Sequence, residues 1–241
     1  MSEGAIAVEV EHVAVQTPGG VMPTTLARPT GAGPYPIVVV IMEAFGLVPN
    51  IERVAERIAG QGYVAVAPDF YFRQLPNNKF DYDNLDGAIA CMQELDDDVF
   101  LADMNALLDT LQARPDTTDR VGVTGFCMGG RLSFLSACAL PDRVDCAAPF
   151  YGGGLTAHLR QADDIRCPMH LFFGERDPYI PLEQVREVDE RLRALGKDYA
   201  LECYDAADHG FFCDERESYD EAAAVDSWQK LTALFERTLR S

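Results

Sequence analysis

Four residues of types that do chemistry stand just past apolar runs: Glu43, Cys127, Asp177 and His209. The most telling context is Val121-Gly-Val-Thr-Gly-Phe-Cys127-Met-Gly-Gly130, followed by Arg131-Leu-Ser-Phe-Leu-Ser-Ala-Cys-Ala. This reads as strand, sharp turn and helix with Cys127 at the apex, the Gly125-x-Cys127-x-Gly129 form of a nucleophile elbow. Flanking glycines let strand and helix pass closely around a strained apex residue. The turn also places the first amides of the helix where an oxyanion would form. A thiol attacks as thiolate and needs a base beside it. His209 is the candidate base, in the loop Asp205-Ala-Ala-Asp-His209-Gly. Asp177, in Gly174-Glu-Arg-Asp177-Pro, is the candidate to orient it, with Glu175, Asp205 and Asp208 as weaker competitors. The other histidines have plainer readings: His12 in a hairpin, His170 inside an apolar strand and His158 in a loop. Against the chemical reading stands a buried, inert thiol in a glycine-rich turn, since cysteine is often a small core residue.

These residues need a scaffold, and the hydrophobic pattern supplies one. Residues 5–28 read as a β-hairpin turning at Pro18-Gly-Gly20. The β-branched run Ile37–Met42 suits a parallel strand buried on both faces, and Glu43 follows it directly. Asn50 is read as the cap of a helix over 51–60, and Tyr63–Ala67 as the next strand. Residues 68–84 read as a long aromatic loop of the kind that often builds a site. The stretch 97–113 places Leu101, Met104, Leu108 and Leu111 on one helix face. Strands over 120–124, 144–151, 168–173 and 198–204 follow, with helices over 131–139, 181–195 and 219–237. Alternation of this kind predicts an α/β fold in one domain spanning 1–241: a mostly parallel sheet with helices on both faces and an N-terminal antiparallel hairpin. Sites in such sheets form at the carboxyl ends of the strands, where Glu43, Asp69, Cys127, Tyr151, Asp177 and His209 are all expected.

Composition narrows the partners. With 39 acidic against 20 basic residues, the chain carries a net charge of −19, which disfavours nucleic acid and acidic membrane surfaces. The opening Met-Ser-Glu-Gly-Ala-Ile has no basic, apolar leader pattern, and Ile37–Met42 is too short to span a bilayer. Seven cysteines at 91, 127, 138, 146, 167, 203 and 213 show no paired spacing, as expected of reduced thiols in a cytoplasmic protein. No histidine clusters with them, so no metal site is expected. The expected assembly is a monomer or a small homo-oligomer.

The chain resembles the dienelactone hydrolase family, cysteine-dependent members of the α/β-hydrolase fold. The resemblance covers essentially the whole sequence. Its anchors are Met42-Glu43-Ala-Phe-Gly46, Pro68-Asp-Phe-Tyr-Phe-Arg73, Gly125-Phe-Cys-Met-Gly-Gly130, Phe150-Tyr-Gly152, Gly174-Glu-Arg-Asp177 and Asp208-His-Gly-Phe211. It implies a catalytic triad of Cys127, Asp177 and His209. It implies that Glu43 takes the proton of the resting thiol, and that the backbone N–H groups of Met128 and Ala44 form the oxyanion hole. No cofactor is implied. The family's best-known substrate is a carboxylated enol-lactone clamped by two arginines. Arg73 matches one of them. Cys213 stands at the position of the other, and Arg216, three residues on, is the remaining candidate. Tyr151 is a further candidate for the pocket wall. The expected activity is hydrolysis of a small-molecule ester or lactone, carboxylated or not, through a thioester. The alternatives are a general carboxylesterase or thioesterase of the same fold and, from a different class, a redox-sensing or binding protein that uses Cys127.

Overall fold

Pro18 and Gly19 reverse the chain between β1 (Val8–Thr17) and β2 (Gly20–Pro29), which pair antiparallel from Thr17↔Gly20 to Val8↔Pro29. Gly20 has φ +136°, a conformation that side chains rarely adopt. This hairpin opens a computed structural model describing residues 6–74 and 79–240. Residue 5 of the expected hairpin and residues 75–78 of the expected loop lie outside the described residues. The chain divides into two compact units, residues 1–120 and 121–241.

In the first unit, β2 pairs antiparallel with β4 (Val64–Pro68), which pairs parallel with β3 (Tyr35–Ile41). Every residue from Ile37 to Met42 is fully buried, as the unbroken β-branched run requires. Burial of each such side chain stabilises by roughly 1.5–3 kcal/mol. Helix α1 (Pro49–Ala59) packs on β2, β3 and β4. Its N-cap is Val48 rather than Asn50, because Pro49 takes the first helical position, where its missing N–H costs nothing. A helix the sequence reading leaves out, α2 (Leu85–Gln93), is capped by the Asn84 side chain and buries only Ala88. Its Leu85, Ala88, Ile89 and Met92 stand at helical spacing, which the sequence reading passes over. Helix α3 (Asp97–Gln112), capped by Asp96, packs on β1. Its buried face is Phe100, Asp103, Met104, Leu107, Leu108 and Leu111, so the expected stripe is rotated slightly and carries an acid.

Strand β5 (Thr117–Phe126) runs from the first unit into the second. There it pairs parallel with β6 (Cys146–Phe150), β6 with β7 (Met169–Gly174), and β7 with β8 (Tyr199–Tyr204). Helix α4 (Met128–Ala139) packs on β6, and α6 (Glu221–Leu239) on β6 and β7. Helix α5 (Leu182–Ala194) packs on a short 3-10 turn, Leu155–His158. Because the four strands run parallel, their carboxyl ends at Phe126, Phe150, Gly174 and Tyr204 lie along one edge. Among the described residues no helix is long and apolar enough to cross a membrane.

Candidate active site

One residue separates β5 from α4, so the chain must reverse within it. That residue is Cys127, at φ 55° and ψ −115°, a region that L-residues with a side chain rarely occupy. Its own N–H donates to the Phe150 carbonyl at 3.1 Å, and its carbonyl accepts from the Arg131 N–H at 3.2 Å. Two glycines, Gly130 and Gly152, stand where strand and helix cross. A Cβ on Gly130 would run into the Phe150 carbonyl oxygen, and one on Gly152 would come within 2.7 Å of the Arg131 amide. The close approach is thus between the first turn of α4 and the chain leaving β6. Met128 opens α4, so no carbonyl inside the helix can accept its N–H.

The loops after β7 and β8 bring acid and base together. Asp177 Oδ2 accepts from His209 Nδ1 at 2.6 Å, and Asp177 Oδ1 accepts from the Tyr179 N–H at 2.8 Å. Both side chains are nearly withdrawn from solvent: His209 is 8% exposed and Asp177 0%. The His209 N–H is held in turn by Asp208 Oδ1 at 2.5 Å. Asp208 therefore serves the loop, and Asp177 serves the imidazole. Burial alone would lower the pKa of His209. The charge of the Cys127 sulfur and hydrogen bonds to Asp177 and Cys127 outweigh it, and the pKa is pushed up to about 10. With Nδ1 committed to Asp177, the outward nitrogen Nε2 is the one that can exchange a proton.

Tyr151 follows β6 directly at φ 33° and is fully buried, with its ring centroid 5.2 Å from that of His209. It therefore packs against the imidazole. Arg216 places its guanidinium over Gly210, the residue after His209, so closely that any Cβ there would collide with it. A feature the sequence reading misses is Tyr179, whose ring also packs against the imidazole of His209, at 5.1 Å.

In the first unit, Glu43 is fully buried just past β3, and its carbonyl accepts from the Gly46 N–H at 3.0 Å. The carbonyl of Ala44 accepts from the Tyr71 hydroxyl at 3.1 Å, which fixes that peptide. Arg73 requires a correction. Its guanidinium is engaged by both carboxylate oxygens of the fully buried Asp103, and donates to Thr17 Oγ1 at 3.3 Å. It ties the loop after β4 to α3 and to the hairpin, and both terminal nitrogens of the guanidinium are committed there. Asp103 was detectable in principle, as an acid on the buried stripe that Phe100, Met104 and Leu107 define. Among the described residues, no group of three or more His, Cys, Asp or Glu side chains is arranged to hold a metal ion.

The whole chain can be set beside known proteins. Residues 22–239 match the model of the dienelactone hydrolase family. A protein of Synechocystis named "Putative carboxymethylenebutenolidase" is 36% identical over 226 residues, covering 89% of this chain and 91% of its own. A solved structure from Klebsiella pneumoniae, titled "Putative Dienelactone Hydrolase", superposes with a TM-score of 0.88 at 32% identity, over 96% of this chain and 99% of that one. A dienelactone hydrolase-like promiscuous phosphotriesterase from metagenomic libraries gives a TM-score of 0.84 at 25% identity, over 96% and 99%. The fold is that of the α/β-hydrolases, as the strand order and the elbow lead one to expect. On its sequence, its fold and the match along nearly all its length, this chain belongs to the dienelactone hydrolase family.

Proposed function

We propose that the protein hydrolyses ester or lactone bonds through a thioester formed on Cys127. The observation that carries this reading is the position of His209, bound through Nδ1 to the buried Asp177 and through its other side to the Cys127 sulfur. An imidazole so held keeps its proton and can hand it to a departing oxygen. The redox-sensing alternative asks for neither a base nor an orienting carboxylate.

The thiolate attacks the carbonyl carbon, and the carbonyl π electrons move onto oxygen. The Met128 N–H at the start of α4 and the Ala44 N–H stabilise that oxyanion. When the oxyanion collapses, the C–O bond breaks. The departing oxygen takes the proton from His209 Nε2, leaving an acyl group on sulfur and a neutral imidazole. Water then gives a proton back to Nε2 as its oxygen attacks the thioester. The C–S bond breaks, and the acid and the thiolate–imidazolium pair are released. Thiolate leaves a tetrahedral adduct more readily than alkoxide, so activated esters, enol-lactones and thioesters react better than simple alkyl esters or amides. None of these steps calls on a cofactor.

The same reading assigns Glu43 as the group that takes the proton of a resting thiol. Arg216, beside the His209 loop, is assigned as the cation that holds a substrate carboxylate, with Tyr151 as the wall behind the imidazole. Seven cysteines outside disulfides are in keeping with a reducing, cytoplasmic setting. The two units together make up the single catalytic domain of this proposal.

The test is hydrolysis of p-nitrophenyl acetate and of a carboxylated dienelactone by the native protein, Cys127→Ala and Arg216→Ala. Cys127→Ala is expected to lose roughly 10³-fold or more on both substrates, and Arg216→Ala to lose activity on the lactone alone. Full activity in Cys127→Ala would end the thioester reading. Equal effects of Arg216→Ala on both substrates would remove the carboxylate from the substrate class.

A further inference from the structure

The two aromatic neighbours of His209 are unlike each other. Tyr151 is fully buried, and its N–H is bound at 2.7 Å to the Phe172 carbonyl. Tyr179 packs its ring against the imidazole at 5.1 Å and an interplanar angle of 80°, yet it is 56% exposed. Its backbone N–H donates to Asp177 Oδ1, whose partner oxygen holds His209 Nδ1. Tyr179 is thereby anchored through its main chain to the acid of the pair and through its ring to the base, while the rest of the ring faces solvent.

Chemistry turns this position into a role. In the mechanism above, His209 Nε2 hands its proton to the departing oxygen, so that oxygen must come within hydrogen-bond reach of the imidazole. The group it carries must then lie on the open side of the ring. Tyr151 closes one side. Of these two rings against the imidazole, Tyr179 is the one that solvent reaches.

We propose that Tyr179 is a specificity-determining residue for the leaving group. Its exposed ring receives flat, conjugated groups, phenols and enols, in preference to alkyl alcohols of the same acidity. The inference rests on His209 being the acid that protonates the departing oxygen. Two features make it specific. The residue is an aromatic at the solvent edge of a proton donor, and it is positioned by a hydrogen bond to the same carboxylate that positions that donor. Aromatic rings pair in offset or edge-to-face geometries that saturated groups do not reproduce.

The experiment compares two acetates whose leaving groups are similarly acidic but differ in shape: 4-chlorophenyl acetate, flat, and hexafluoroisopropyl acetate, not flat. The readout is the ratio of their kcat/KM values in the native protein, Tyr179→Phe and Tyr179→Leu, with Cys127→Ala as control and thermal melts confirming folding. Native protein and Tyr179→Phe are expected to share one ratio favouring the aryl ester. Tyr179→Leu is expected to lower that ratio by about 3- to 10-fold, chiefly through the aryl ester. If Tyr179→Leu leaves the ratio unchanged, including by slowing both esters equally, the ring only supports the imidazole and the proposal falls. If Cys127→Ala retains activity, the hydrolytic reading falls and takes this proposal with it.

Discussion

In the first unit the fully buried Asp103 grips Arg73, and in the second the equally buried side chain of Asp177 grips His209. Each pair joins a loop at a strand end to another element, and each acid raises the pKa of its partner. The difference lies in the base. A guanidinium keeps its proton at every physiological pH, so raising its pKa further changes nothing but the strength of the tie. An imidazole exchanges its proton in the working range, and its second nitrogen stays available while the first is held. The first pair is therefore a brace, and the second is the pair proposed as machinery. The cysteine beside the second pair completes the contrast, because a neighbouring charge on sulfur also helps to keep the imidazole protonated.

Breaking the second pair should have the largest effect. Asp177→Asn keeps the size of the side chain but removes the charge that stabilises the imidazolium and puts an NH2 donor where one accepting oxygen stood. A loss of roughly 10⁴-fold in kcat/KM is expected, with a folded protein by circular dichroism. Activity within a few-fold of native would mean that another acid orients His209. Breaking the first pair should cost stability instead. Arg73→Leu strands a buried carboxylate and is expected to cost about 3 kcal/mol in denaturant unfolding, while kcat/KM on p-nitrophenyl acetate stays near native. A stable Arg73→Leu protein that has lost lactone hydrolysis would return Arg73 to the binding site.

The smallest effect is a slope. Because the folded-state pKa of His209 is raised from 6.5 to about 10, the stability this group contributes is fully present below pH 6.5 and is lost as pH rises towards 10. One proton sets a ceiling of about 1.4 kcal/mol per pH unit. Unfolding free energy measured across that window should fall more steeply for the native protein than for Cys127→Ala, in which one partner that raises the imidazole is gone. Parallel curves would show that the sulfur does not help to hold the proton. Arg73, with its proton always in place, predicts no such slope.

Most of the scaffold was legible in the chain. The run from Ile37 to Met42, the turn at Pro18-Gly19 and the alternation of strand and helix after residue 120 are local patterns, and they lie where the residue types require. Helix α2 carries helical spacing at Leu85, Ala88, Ile89 and Met92 that the reading passes over, but that only Ala88 of them is buried is decided by the tertiary structure. The cap of α1 was misplaced by two residues, because Pro49 outranks Asn50 in choosing where the helix starts. In the elbow the apex is legible, but the close contact of Gly130 with Gly152 is not, because the two meet only after β6 returns beside β5.

The chemistry divides along the same line. That Cys127, Asp177 and His209 fall just past strand ends follows from order along the chain, since parallel strands carry their carboxyl ends to one edge whatever the packing details. Which partner each charged side chain meets does not follow from order. Arg73 and Asp103 are thirty residues apart, Asp177 and His209 thirty-two. Nothing local distinguishes an arginine aimed at a substrate from one spent on a helix acid. That choice is made only when the chain closes, because a buried carboxylate must be paired and takes the nearest cation that packing brings to it.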